Sequence, residues 1–419
     1  MAIDAEKKMV GGGYAPPERN AGALIGAVCI CGPALVSLIG MAPAAALPAM
    51  AQHFEQTSDG ALIAQNILTL PSIALIIASP ISGFLGERFG RRNVLLVSWA
   101  MYVVFGAAGL IATDALSLVA TRLVLGAAGG ALLTTSLALI GDYFSGHVRE
   151  RVLGFGVAFA SLLAAGALTA GGALVDGFGW RAPFALYLLG LPALIAAWFV
   201  IKPLHQPQVA VAAAKPAAFA PEDWAPIIRL WPLYALLVAC TIGMYTPAIQ
   251  GPFLLVESNN MSAMEQGSII AASSIIAIFA AALYGYIRRI MGLTSILALI
   301  MGSFGIGIVL MAALPGGDKI VGSGIIGIGA GCAEATIASA ILLKSPDRVH
   351  GRALGLLVSA LFLGQWLNPW VFAPVRAALG LSTAFWVIGA GFVVLCAALL
   401  AYRLVRGEKL DGPAQASAA

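Results

Sequence analysis

Twelve apolar runs, each about as long as a bilayer is thick, recur along the chain with only short polar breaks between them. The hydrocarbon core of a membrane is about 30 Å across and takes about 20 residues of helix to span. The runs cover 22–50, 62–86, 93–112, 115–142, 149–176, 179–202, 229–256, 263–291, 293–314, 317–344, 350–377 and 379–406. They lack the short alternation of a membrane barrel, and a helix satisfies its own backbone hydrogen bonds in lipid. The chain is 60% hydrophobic and 10% charged, against about 25% charged in a soluble domain. The expected fold class is all-α, a polytopic protein integral to a membrane.

Lys and Arg are costly to translocate and stay cytoplasmic in short loops. Putting both termini inside places nineteen of the 23 Lys and Arg on the cytoplasmic side. Arg181, Lys319 and Arg376 fall outside, and Arg122 lies within the fourth run. The first run is of full spanning length behind a polar start, so it is expected to remain as a helix rather than be cleaved. Cys29, Cys31, Cys240, Cys332 and Cys396 fall inside spans with neither disulfide nor metal-ligand spacing. His53, His147, His205 and His350 avoid the centres of the runs, and no phosphate-binding loop is present. Membrane-embedded metal, His/Ser or nucleotide chemistry therefore has little support, and an enzyme is not expected.

Residues 203–228 break the rhythm with an Ala/Pro-rich tract from Gln206-Pro207-Gln208 to Pro221-Glu222-Asp223. The expected organisation is a tail (1–21), a six-helix half (22–202), a cytoplasmic linker (203–228), a second six-helix half (229–406) and a tail (407–419). Val148, Arg151, Leu153 and Gly154 recur as Val349, Arg352, Leu354 and Gly355, 201 positions on, as parallel repeats of one six-helix half require. At a shift of 202, Gly83, Leu85 and Gly90 find Gly285, Ile287 and Gly292.

Between the second and third runs stands Gly83-Phe84-Leu85-Gly86-Glu87-Arg88-Phe89-Gly90-Arg91-Arg92. This decapeptide resembles the signature loop of the major facilitator superfamily, Gly-x-Leu-x-(Asp/Glu)-Arg-x-Gly-Arg-(Arg/Lys). Arg122-Leu123-Val124-Leu125-Gly126 resembles the family's Arg-x-x-x-Gly motif, and Gly179-Trp180-Arg181-Ala182-Pro183-Phe184 its entry to the sixth helix. Both favour the drug/proton antiporter branch. The antiporter pattern of the fifth helix is met only in part by Gly166-Ala167-Leu168-Thr169-Ala170-Gly171-Gly172, which lacks the proline. The resemblance implies a secondary transporter with Gly83, Glu87, Arg88, Gly90, Arg91 and Asp142 as gating residues. Anchoring to the membrane surface by exposed pairs, worth about 0–1 kcal/mol, is the plainer reading of the same charges.

Glu334 lies near the middle of the tenth run with no other charge for about ten residues either side. A mid-membrane acid costs about 2.5–3.5 kcal/mol, which marks it as a candidate proton carrier or as a protonated side chain bonded to a neighbouring helix. By resemblance Arg122 joins it in proton coupling, whereas snorkelling outward is the alternative. Mid-helix polar and aromatic residues form the candidate substrate lining: Gln65, Asn66, Thr69, Tyr245, Thr246, Gln250, Gln365, Trp366 and Asn368. Any of them could instead bond between helices. The first run has Pro43 and Pro48 but no acid, which favours a neutral or weakly acidic amphipathic substrate.

The expected activity is proton-coupled efflux of small organic molecules by alternating access, with proton-coupled uptake as the rival and a non-transporting sensor a distant third. No cofactor is expected beyond the proton gradient as energy source. The partners are a small-molecule substrate, protons and the lipid bilayer, with no nucleic acid, and a monomer is expected. Short loops and an Ala/Gly-heavy composition suggest a bacterial inner membrane.

Overall fold

The computed structural model describes residues 22–55, 60–202, 224–259, 261–346 and 349–406. The expected tails, and residues 203–223 of the expected linker, lie outside the described residues, as does Arg348. Among those described, twelve helices are long and apolar enough to cross a membrane. They are α1 (Ala23–Phe54), α2 (Gly60–Phe89), α3 (Arg91–Leu110), α4 (Ala115–Tyr143), α5 (Gly146–Phe178), α6 (Ala182–Val200), α7 (Trp231–Ile249), α8 (Ala263–Ile290), α9 (Leu293–Ala313), α10 (Gly316–Lys344), α11 (Arg352–Leu379) and α12 (Leu381–Val405). No β-strand is present among the described residues.

Local chemistry sets the ends. Asp114 caps α4 by accepting from Ser117 N at 2.8 Å, and this bond holds its carboxyl below the usual carboxylate range. Ser262 and Glu265 form a reciprocal capping box at the start of α8. Gly179 and Gly380, 201 positions apart, both stand at φ +83° and turn the chain into α6 and α12, a conformation that side chains other than glycine rarely adopt.

Two helices depart from the sequence expectation. The first continues to Phe54 but is broken at Ser37 and again around Ala42–Ala46, where Pro43 cannot donate a backbone bond. The seventh stops at Ile249 instead of 256; Pro252 removes a donor, and a separate helix, Gly251–Asn259, follows. A short helix, Trp224–Ile228, occupies the end of the expected linker.

Side chains of α1–α6, with Ile249 of α7, form one buried apolar cluster and those of α7–α12 a second. A third, smaller cluster bridges the halves, joining Ala44, Ala165 and Leu168 to Ala248, Leu255, Ile269, Ile270 and Ala271. The main contacts between halves are α5 against α8 and α2 against α11. The loops bearing Arg88, Arg91, Arg92, Arg149, Arg151, Arg288 and Arg289 all lie at one end of the bundle, called the basic end below.

Candidate functional site

A cavity of about 180 Å³ lies where the halves meet, lined by α1 (Pro33, Val36, Ser37, Ile39, Gly40), α2 (Pro71, Ser72, Leu75), Leu133, Tyr245, Phe362 and Gln365. At the end away from the basic loops is a larger vestibule of about 530 Å³, lined in part by Glu55, Gly60, Glu257 and Arg376. Between the two runs a chain of carboxamides. Gln65 Nε2 donates to Gln250 Oε1 at 2.8 Å, and Gln250 Nε2 donates to Asn368 Oδ1 at 3.0 Å. Asn368 Nδ2 in turn donates to Ile242 O at 2.9 Å and Thr246 Oγ1 at 3.1 Å. Gln65, Thr246, Gln250 and Asn368 are all fully buried. On α2, on α7 with the helix that follows it, and on α11, the chain's residue falls between the cavity residues and the vestibule residues. The chain is therefore a polar plug between the two spaces, tying α2 to the second half.

The plug's bonds are worth most where water is absent, because a buried amide left unpaired costs about 1–3 kcal/mol. Gln250→Leu leaves Gln65 Nε2 without its acceptor and Asn368 Oδ1 without its donor, and is expected to destabilise the protein by about 2 kcal/mol. Thr246→Val leaves Ile242 O as acceptor for Asn368 and is expected to cost under about 1 kcal/mol. Thermal unfolding of the detergent-solubilised variants checks the order.

The same end is closed a second time where α5 crosses α8. A Cβ on Gly172 would overlap Ala263 O, and one on Gly267 would overlap Leu168 O, so the two backbones touch. Asp176 of α5 then accepts from Ala263 N at 2.8 Å and Met264 N at 2.9 Å, a carboxylate seated on the positive N-terminus of α8. Nearer the basic end of the same helices, Gly154 and Gly285 have nothing within 4 Å of the place a methyl group would take. The halves are thus in tight contact at the end away from the basic loops.

Glu334 is exposed in mid-helix, although α10 packs against α8 through Cys332, whose Sγ lies 3.8 Å from Ala280 O, and against α9 through Gly329. α10 also packs against α7, the helix that brings Tyr245 to the cavity. Arg122 does not line that cavity. It is 1% exposed, donates through Nη2 to Phe105 O at 2.8 Å and Gly106 O at 2.9 Å, and lies over the rings of Phe184 (4.6 Å) and Tyr187 (5.3 Å). These carbonyls and rings all belong to the first half, and the side chain points into that half rather than out to the membrane surface.

Comparison with known families decides the lineage: the model of the Major Facilitator Superfamily matches residues 29–369. The chain belongs to that superfamily. Over 164 residues it is 32% identical to the multidrug efflux pump LfrA of Mycolicibacterium smegmatis, covering 38% of this chain and 31% of that protein. Over 144 residues it is 33% identical to the efflux pump dotC of Dothistroma septosporum, covering 34% of this chain and 24% of that one. The matched segment thus spans less than a third of either relative's length. Among solved structures, a D-xylose–proton symporter superposes with a TM-score of 0.71 at 15% identity, covering 90% of this chain and 97% of that one, which shows the shared fold.

In this facilitator the signature loop is tied down within the first half. Arg91 Nη1 donates to Asp142 Oδ1 at 2.6 Å and to Ala138 O at 3.3 Å, linking α3 to α4. Arg92 donates to Ile201 O and Trp198 O, fastening α3 to the end of α6. Glu87, Arg91, Arg92, Asp142 and Lys202 surround a pocket of about 260 Å³ beneath the loop. Glu87 and Arg88 are exposed, Arg88 lies 5.5 Å from the Phe89 ring centroid, and Gly83 and Gly90 have open space around them.

The candidate lining divides. Tyr245 and Gln365 line the cavity, while Gln65, Thr246, Gln250 and Asn368 form the plug. Thr69 and Asn66 bond carbonyls of their own helix, and Trp366 packs beside Trp370 at 6.2 Å. Sequence reasoning missed Ser37, Ser72 and Phe362 in the cavity wall and Asp176 at the α5–α8 crossing. The prolines at 33 and 43 were the available signal for α1, because broken helices supply exposed backbone at transport sites.

Proposed function

We propose that the protein exports small amphipathic organic molecules across a bacterial inner membrane in exchange for protons, by alternating access of its two halves. The observation that carries this reading is a single carboxylate, Glu334, exposed at mid-helix on α10, which packs against the cavity-lining α7. The basic end is cytoplasmic by the cost of translocating Lys and Arg, which also puts both termini inside. The plug and the α5–α8 crossing then close the outer side, so the described conformation is inward-facing. Substrate enters the cavity from the cytoplasm or inner leaflet against Tyr245, Phe362 and Gln365, and leaves through the vestibule once the outer contacts open. Proton binding at Glu334 and substrate release alternate, and Arg91 and Asp142 steady the first half at the basic end as it rocks. The relatives named as efflux pumps support the outward direction. Both spaces lie inside one chain, which supports transport by a monomer.

The test is accumulation of a panel of antibiotics, dyes and metabolites, by mass spectrometry, in efflux-deficient cells carrying the gene or an empty vector. Lower accumulation that a protonophore reverses is the expected result. Higher accumulation would make the protein an importer and overturn the direction while leaving the fold untouched.

A further inference from the structure

The broken stretch of α1 is held by two buried tyrosines from elsewhere in the first half. Pro43 has no N–H, so Ile39 O has lost the donor that a continuous helix would supply four residues on. Tyr187 Oη reaches that carbonyl at 3.3 Å and Leu38 O at 3.4 Å. Tyr102 Oη donates to Leu35 O at 2.5 Å, one turn earlier. Both hydroxyls therefore serve the segment in which Ser37 and the Ala42–Ala46 turn interrupt the helix.

Tyr187 is in turn fixed by Arg122. The guanidinium lies against the faces of Tyr187 and Phe184, and its Nη2 is anchored on the carbonyls of Phe105 and Gly106 near the end of α3. Gly106 has no Cβ, and one added there would run into Tyr187, so the ring lies directly on α3. Tyr102 meets Tyr187 edge-on at 5.6 Å. Arg122, Tyr102, Phe184 and Tyr187 are essentially without solvent exposure. On its other side the supported stretch of α1 faces the transport path: Ile39 and Gly40 line the cavity, and a Cβ on Gly40 would stand 2.6 Å from Gln365 Nε2 of the second half.

We propose that Arg122 is a positioning residue for transport, acting through Tyr187 on the carbonyls of Leu38 and Ile39 to set how the break in α1 meets the cavity and α11. The inference rests on the transport reading and assigns Arg122 no proton. It makes Tyr187 the residue through which changes at Arg122 reach the substrate, and Tyr102 a second strut for the same segment.

Two measurements test it on the full-length protein. In lipid nanodiscs, amide hydrogen exchange of residues 35–46 is expected to be about tenfold faster in both Tyr187→Phe and Arg122→Gln, with α9 unchanged. In everted membrane vesicles with fluorescein, a weakly acidic amphipathic dye, as the probe, Tyr187→Phe is expected to raise KM about fivefold, the size of one hydrogen bond. The midpoint of the pH profile should stay in place for Arg122→Gln, and the double variant should be no worse than Arg122→Gln alone, because the two act in series. Unchanged exchange over 35–46 in Tyr187→Phe overturns the proposal. So does a pH midpoint that moves in Arg122→Gln while Tyr187→Phe is silent, or a loss of folded protein with KM unaltered. Wild-type vesicles that do not move fluorescein would count against the transport reading, and the exchange measurement would still decide whether Arg122 holds α1 through Tyr187.

Discussion

Glu334→Gln is expected to abolish proton-driven export while leaving downhill movement of the same substrate largely intact. Among the described acids, Glu334 alone lies more than two turns from the end of its helix; Glu87, Asp142 and Asp176 all sit within the last turn of theirs. A carboxyl at that depth alternates between charged and neutral forms only if water or substrate reaches it, and its exposed position on α10 supplies the access. Glutamine keeps the size and hydrogen-bonding shape of the protonated acid but cannot release a proton. The variant therefore mimics one half of the cycle permanently. In everted vesicles, adding a transported dye to wild type should dissipate an imposed pH gradient, and in Glu334→Gln it should not. Counterflow of labelled against unlabelled dye should stay within a few-fold of wild type, because it needs no net proton movement. A variant that still concentrates dye against its gradient would remove Glu334 from the coupling step.

The membrane spans were legible because lipid imposes length and polarity on every crossing segment, and that requirement is local in sequence. The three amides of the plug were legible as polar residues at mid-depth, but not as a chain. Gln65 and Gln250 are 185 residues apart, and nothing in the local pattern says which amide meets which. Lys319, counted on the outer side, shows a further limit: it is 2% exposed, with Nζ donating to Met311 O at 2.8 Å in the last turn of α9. The last carbonyls of a helix have no partners within it and attract a cation, so the burial is set by the neighbouring helix end, not by the residue's own surroundings in sequence. Arg122 does the same for the carbonyls near the end of α3, and its acid-free burial could not be read from a motif that gives only its spacing to Gly126. The break in α1 was visible as prolines, whereas the tyrosines that satisfy it lie more than 60 residues downstream.

Gly267→Val is expected to hold the outer end open and reduce transport to background in a protein that still folds. The atom that an added Cβ would strike is Leu168 O, part of the α5 backbone, and Gly172 faces Ala263 O in the same way from the other side. A flexible side chain can move aside, but two helix backbones can only separate. Separation by even an ångström breaks the bonds from Ala263 N and Met264 N to Asp176, now 2.8 and 2.9 Å long, and removes the pressure that keeps the carboxamide plug aligned. Each loss favours the same alternative, the state with the outer side apart, so the population shifts instead of the chain unfolding. Gly285→Val is the control for labelling: it lies on the same helix, but nothing stands within 4 Å of its Cβ position, and wild-type labelling is expected. The readout is labelling of Ser72→Cys, in the cavity beyond the plug, by a membrane-impermeant maleimide in intact cells, with the native cysteines replaced. The Gly267→Val background should label at least about tenfold faster than wild type, the change that a shift of about 1.4 kcal/mol between the two states produces. Equal labelling with transport retained would mean that the α5–α8 crossing is not what closes the outer side. If transport is lost and labelling is unchanged, the valine has blocked the cycle in the inward-facing state, which the overlap with Leu168 O does not allow.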